Sequence, residues 1–180
     1  MTRESHEVEL VDEAGRAAGS STVEDAHRAP GLRHRAFSVL LLDPEGRVLL
    51  QRRAAVKTRF PLRWANACCG HPAPGDPVVT AAARRLGEEL SLAGVTLREL
   101  GVYVYRADDP ATGRVEHEYD HVLLGRVGAD VALAPDPAEV DGLRWVEPAA
   151  LVEELTRRPD GFAPWLPGVL ALLPEGAGGR

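Results

Sequence analysis

Asn66-Ala67-Cys68-Cys69-Gly70-His71-Pro72-Ala73-Pro74-Gly75-Asp76-Pro77, continued by Ala81-Ala82-Ala83-Arg84-Arg85-Leu86-Gly87-Glu88-Glu89-Leu90-Ser91-Leu92, is the stretch on which the reading of this chain turns. Two thiols and an imidazole gather around Gly70, and the density of Pro and Gly predicts an irregular loop. Asp76 is the predicted N-cap of a helix, with Pro77 at its first position. From there Val79, Ala82, Ala83, Leu86 and Leu90 predict one apolar stripe, with Arg84, Glu88 and Glu89 on other faces. A loop bearing soft ligands or nucleophiles thus feeds a helix with adjacent carboxylates.

Working outward, Val8 to Val11 predicts a strand entering a hairpin turn at Asp12 to Gly15. Ser21-x-x-Glu24 has the form of a capping box for a short helix through His27, which Pro30 and Gly31 end. Phe37 to Leu42 and Val48 to Arg52 predict a hairpin about the turn Asp43-Pro44-Glu45-Gly46. Downstream, Gly94 marks a helix stop. Gly101 to Arg106 and Glu116 to Val127 predict strands joined by a polar turn at Asp108 to Gly113. A connection from Asp130 to Val140, a short strand Leu143 to Val146 and a helix Pro148 to Arg158 follow. Phe162-Ala163-Pro164-Trp165 leads into a final apolar helix and a loose tail. Strands with a few helices make the expected fold class α+β.

With 180 residues, the chain is expected to form one domain with its own core. Its net charge of -6 speaks against a general nucleic-acid binder, and its longest apolar run is far too short for a membrane span. The start, Met-Thr-Arg-Glu-Ser-His-Glu, lacks a signal-type apolar segment, so a cytoplasmic location is expected. The two cysteines are sequence neighbours, a poor geometry for an ordinary disulfide.

Several residues carry chemistry if they converge. Read singly, each has a plainer account. A lone His is more often a surface or core residue than a ligand, and Glu116-x-Glu118, whose side chains share one strand face, is usually a solvent face. The cations Arg52, Arg53, Lys57 and Arg59 read as a solvated loop or a basic pocket. Tyr105 and Trp165 read as packing or function. A structural zinc site at Cys68, Cys69 and His71 lacks the second ligand pair such sites use.

The helix stretch resembles the Nudix box, Gly-x5-Glu-x7-Arg-Glu-U-x-Glu-Glu-x-Gly-U with U aliphatic, laid on Gly70, Asp76, Arg84, Arg85, Leu86, Glu88, Glu89, Ser91 and Leu92, with departures at Asp76, Arg85 and Ser91. The Cys69-Gly70-His71-Pro72 entry, Glu116-x-Glu118 and Ala163-Pro164-Trp165 resemble one Nudix branch, the type I isopentenyl-diphosphate isomerases. The resemblance implies a Nudix fold, an α/β/α sandwich on a mixed sheet, with a core over about residues 34–160, an N-terminal extension 1–33 and a flexible tail 174–180. It implies a divalent metal (Mn, Zn or Mg) on His27, His34, His71, Glu116 and Glu118. It implies catalysis by Cys69, Glu118, Tyr105 and Trp165, with Cys68 a bystander. Arg53, Lys57 and Arg85 would contact the diphosphate, and Glu89 would hold a Mg²⁺ arriving with it. The implied partner is a small isoprenoid diphosphate, with no nucleic acid or membrane, on a monomer or weak dimer. A Nudix pyrophosphohydrolase acting on a nucleoside diphosphate derivative is the alternative, and a catalytically inert metal-stabilised binding domain a third. Arg85 replaces a carboxylate that hydrolysis needs.

Overall fold

The computed structural model describes residues 3–176; part of the predicted tail, residues 177–180, lies outside them. Strands β1 (Glu7–Val11), β2 (Ala17–Thr22), β3 (His34–Leu42), β4 (Val48–Arg53), β5 (Trp64–Asn66), β6 (Cys68–Gly70), β7 (Leu97–Asp108), β8 (Val115–Arg126) and β9 (Val140–Val146) join in one mixed sheet. Four helices accompany them: α1 (Val23–Ala26), α2 (Val78–Leu90), α3 (Pro148–Arg157) and α4 (Leu166–Leu170).

The hinge of the topology is β3. Its predicted hairpin with β4 is joined only at Leu42 and Val48, after which the strands part. β4 goes on to pair with β5 and β9, whereas β3 takes β6 antiparallel on one edge and β8 parallel on the other. β3 is apolar throughout its second half because both faces are covered. Leu40 and Leu42 enter a core with Trp165, Leu166 and Leu151, while Phe37, Val39 and Leu41 enter another with Leu86 and Leu90 of α2. The result is an α+β fold with helices on both sides of the sheet. Each fully buried leucine here contributes about 1.5–3 kcal/mol, and Leu86→Ala would cost about 2–5 kcal/mol.

Five local predictions need correction. Cys68–Gly70 is a strand rather than loop, since its backbone finds partners on β3, and Gly70 is required there: a Cβ would lie 2.7 Å from Cζ of Phe37. The helix α2 starts at Val78 with Pro77 as its cap, and the Asp76 carboxylate turns to Arg84 at 3.2 Å. It ends at Leu90, with Ser91 as a left-handed C-cap (φ 55°), three residues before the stop expected at Gly94. The cap of α1 is Thr22 with Asp25, one residue beyond Ser21 and Glu24. Finally, Val79 and Ala83 of the expected stripe are exposed, whereas Ala81, Arg85 and Glu89 lie buried beside Ala82, Leu86 and Leu90. Two charged residues therefore occupy an inward ridge of α2, the first sign that this face serves more than packing.

Candidate active site

The register of β3, β8 and β7 puts three candidate side chains in a row: His34 pairs with Glu118, and Glu118 with Tyr105. The Tyr105 hydroxyl donates to Glu118 Oε2 at 2.7 Å, and Glu118 Oε1 lies 3.0 Å from His71 Nε2 and 3.7 Å from His34 Nε2. The His27, His34 and His71 rings form a triangle with centroid separations of 4.6, 5.1 and 4.8 Å.

The donor set fits a metal ion. Nδ1 of His27 and of His34 each lies 2.7 Å from a backbone carbonyl, of Val23 and of Leu32, which can only accept. Each Nδ1 therefore carries the proton and each Nε2 presents a lone pair to the centre. His34 Nε2 is buried without a hydrogen-bond partner. His27 Nε2 faces Glu116 Oε2 at 2.9 Å, two acceptors that only a proton or a cation can reconcile. One ligand atom from each of His27, His34, His71 and Glu118 lies within 4.8 Å of the others. Burial pushes the His71 imidazole down to about 4, leaving it neutral and able to ligate near pH 7. Glu116 stands just outside this group, with Arg59 Nε 3.3 Å from its other oxygen.

Across β3 lies β6. Period-two alternation sends Cys68 into the α2-side core and Cys69 into the cleft. Cys69 Sγ is 3.6 Å from Ser38 Oγ and within 3.3 Å of the Asn66 amide. Burial, with a contribution from Asp120, pushes the Cys69 thiol up to about 12, so it is protonated at neutral pH. Burial and the Glu118 carboxylate likewise keep Tyr105 a phenol. Trp165, 2% exposed, borders Tyr105 at 5.9 Å and Phe60 at 5.6 Å between ring centroids, with Arg53 Cζ 5.4 Å from its own.

Cys69, His71, Tyr105, Glu116, Glu118 and Trp165 line one cleft of about 280 Å³, which Lys57 and Arg85 also line and beside which lies an ionic cluster. Arg85 Nη2 bridges Glu89 (2.5 Å) and Glu139 (2.8 Å), and Lys57 Nζ also pairs with Glu139. Gln51 donates to Glu89 Oε2 at 3.2 Å, and burial pushes the Glu89 carboxyl up to about 7 against the charge of Lys57. Arg53 stands apart from Lys57 and Arg85: it donates to the carbonyls of Arg59 and Phe60, shaping the loop between β4 and β5. Arg52 of the basic cluster turns to Asp141 instead.

A NUDIX domain model matches residues 32–166. A protein of Nocardia farcinica named isopentenyl-diphosphate Delta-isomerase is 63% identical over 165 residues, spanning 92% of this chain and 93% of that one. The chain belongs to the isopentenyl-diphosphate Delta-isomerase family. A second relative of that name, from Streptomyces coelicolor, is 47% identical over 169 residues, 94% of this chain and 84% of its own. A crystal structure from Deinococcus radiodurans superposes with a TM-score of 0.74 at 20% identity, covering 94% of this chain and all of that one, and shares the fold.

Around the cleft stand residues that sequence reading missed. Asn66 opened the deciding stretch without a role, yet its amide joins Cys69 to Trp165. Glu139 lies in what reads as a Pro- and Asp-rich connection, and no local pattern singles it out. Ser38 and Asp120, hydrogen-bonded at 2.7 Å, are buried polar residues inside apolar-looking strands, and their polarity was the available signal.

Proposed function

We propose that this chain converts isopentenyl diphosphate to dimethylallyl diphosphate by moving protons across a bound C5 chain while the diphosphate stays attached. The observation that carries the reading is the placement of Glu118 on β8, with Tyr105 beside it on β7, and of Cys69 on β6, β8 and β6 flanking β3 in one cleft. A 1,3-allylic shift needs a proton added at C4 and another removed at C2, and an acid and a base on opposite flanks suit that need. Glu118 in its protonated form gives its proton to C4, the C3=C4 electron pair becoming the new C4–H bond, and Cys69 in its thiolate form, the minor species at neutral pH, takes the proton from C2. Electrons of the C2–H bond become the new C2=C3 bond, so atoms and charge balance without a redox partner. His27, His34, His71 and Glu118, closed by Glu116, would hold a divalent ion, Mn, Zn or Mg, which supplies Lewis acidity to the Glu118 carboxyl. Glu89 would hold a Mg²⁺ accompanying the diphosphate, and Lys57, Arg85 and Arg53 would donate to its oxygens. Trp165 presents an indole face to the tertiary cation formed by protonation. The whole chain acts as one catalytic domain.

Arg85 separates this reading from hydrolysis. It puts a cation where the Nudix box has a carboxylate, and its guanidinium engages Glu88, Glu89 and Glu139. The test is incubation with isopentenyl diphosphate and Mg²⁺ in D₂O, read by NMR. Deuterium is expected in the C4-derived methyl of dimethylallyl diphosphate, with little phosphate or diphosphate released. Release from this substrate or from nucleoside diphosphate derivatives, without allylic product, would establish the hydrolase instead.

A further inference from the structure

Glu139 gathers cations from three distant parts of the chain. Besides Lys57 and Arg85, Arg3 Nε lies 2.6 Å from its Oε1, and Arg3 Nη2 lies 3.2 Å from Glu88. The other arginines of the cleft are engaged elsewhere: Arg53 with the carbonyls of Arg59 and Phe60, Arg59 with Glu116 and Glu4, Arg84 with Asp76. Among the described residues, Arg3 is the cation that joins Lys57 and Arg85, two of the three proposed diphosphate ligands, on their shared carboxylate.

Its position is built. Arg3 begins a single 3-10 turn, Arg3–Ser5, whose end is tied by His6 N donating to Arg3 O at 3.1 Å and by Val23 N donating to His6 O at 2.8 Å. Between those ties Glu4 accepts from Arg59 Nη1 at 3.0 and 3.1 Å and from Thr58 Oγ1 at 2.9 Å. The turn is thus clamped between α1 and the loop that also carries Lys57. Both Arg3 and His6 line the cleft. The Glu139 side chain is 9% exposed, so its pairing with Arg3 is more than a contact between two solvated charges.

We propose that Arg3 is a further diphosphate-binding residue, delivered by the N-terminal turn, and that Glu139 keeps Arg3, Lys57 and Arg85 aimed at one point until phosphate oxygens take its place. This rests on the function proposed above and extends its binding set to the N-terminal turn. A guanidinium suits the task, because its planar donors can serve a carboxylate or a phosphate with the same geometry. Glu4 is a positioning residue for Arg3.

The experiment uses the full chain with Mg²⁺. It compares wild type, Arg3→Gln, Arg3→Lys and Glu4→Gln, with Arg85→Gln as reference. The readouts are KM and kcat for isopentenyl diphosphate and, by calorimetry, the Kd of inorganic diphosphate. Arg3→Gln is expected to raise both KM and Kd about tenfold, the loss of one charge-assisted hydrogen bond, with kcat falling less. Arg3→Lys should recover part of the binding, and Glu4→Gln should weaken it in the same direction. A merely structural Arg3 would change melting temperature without changing the Kd. Arg3→Gln within about twofold of wild type in both KM and Kd overturns the inference, whatever Arg85→Gln does. If wild type gives no allylic product, the function proposed above fails, and the calorimetric Kd still decides the place of Arg3.

Discussion

The indole Nε1 of Trp165 donates to Asn66 Oδ1 at 3.1 Å across 99 residues of sequence. Because indole can only donate, this bond fixes the amide orientation, turning Nδ2 toward the carbonyls of Cys68 (2.8 Å) and Val39 (3.2 Å). Cys69 Sγ then lies 3.3 Å from the same Oδ1. The indole and the thiol are held by one side chain.

Asn66→Leu should therefore damage both. It leaves a buried indole N–H and two buried carbonyls without their present donor or acceptor, at about 1–3 kcal/mol for each unsatisfied group. A fall in melting temperature together with a shift of tryptophan emission is expected. Unchanged emission would show that Trp165 keeps its place without Asn66.

Trp165→Phe should retain more activity than Trp165→Leu. Phe keeps a ring face toward the developing cation, a term of about 0.5–2 kcal/mol, though it loses the bond to Asn66. Turnover of the two variants is the measurement. Equal rates would reduce Trp165 to packing.

Cys69→Ala should abolish turnover while the protein stays folded, and Cys68→Ala should keep most activity at some cost in stability. Since burial raises the Cys69 thiol, its alkylation near pH 7 should be slow and rise about tenfold per pH unit below its pKa. Mass mapping of the inactivating label checks this. A label confined to Cys68 would reverse the assignment.

Chelation should lower the melting temperature, because an ion bound only by the folded state adds stability in proportion to the logarithm of its concentration. His34→Ala and Glu116→Gln should lower metal content measured on purified protein. A Glu116→Gln variant with full metal content would confine the ligands to His27, His34, His71 and Glu118.

Asp109 supplies an acid-sensitive link. Burial alone would raise its carboxyl, but hydrogen bonds from Thr112 Oγ1 (2.7 Å), Phe60 N (2.7 Å) and Ala111 N (3.0 Å) outweigh it and hold the group below the usual carboxylate range. A lowered carboxyl stabilises the fold fully above the unfolded value near pH 4, and that stability is lost as pH falls through the lower folded value. Asp109→Asn should flatten this acid limb in stability measured against pH. An unaltered limb would assign the acid sensitivity to other carboxylates.

The sequence announced the elements of the site better than their pairing. Cys-Gly-His-Pro, Glu-x-Glu and the basic cluster are local patterns, and the cleft does gather Cys69, His71, Glu116, Glu118, Arg53 and Lys57. The opposite facing of Cys68 and Cys69 was illegible while the segment read as loop, because only a strand imposes alternation. The burial of Arg85 and Glu89 was hidden for another reason. Charged residues on a helix read as its solvent face until an ionic partner such as Glu139 is known, and that partner lies far along the chain.

The parallel pairing of β3 with β8 also sets when the site can exist. His27 meets Glu116 across 89 residues and His71 meets Glu118 across 47, so no short fragment contains a working ligand set. Closing such loops costs chain entropy before any contact returns it, and contacts this distant slow folding. The imidazole triangle should therefore appear only as the last long-range strands dock. Acquisition of a tightly held ion would then time the completion of the sheet, and during refolding it should follow, rather than precede, the burial of tryptophan.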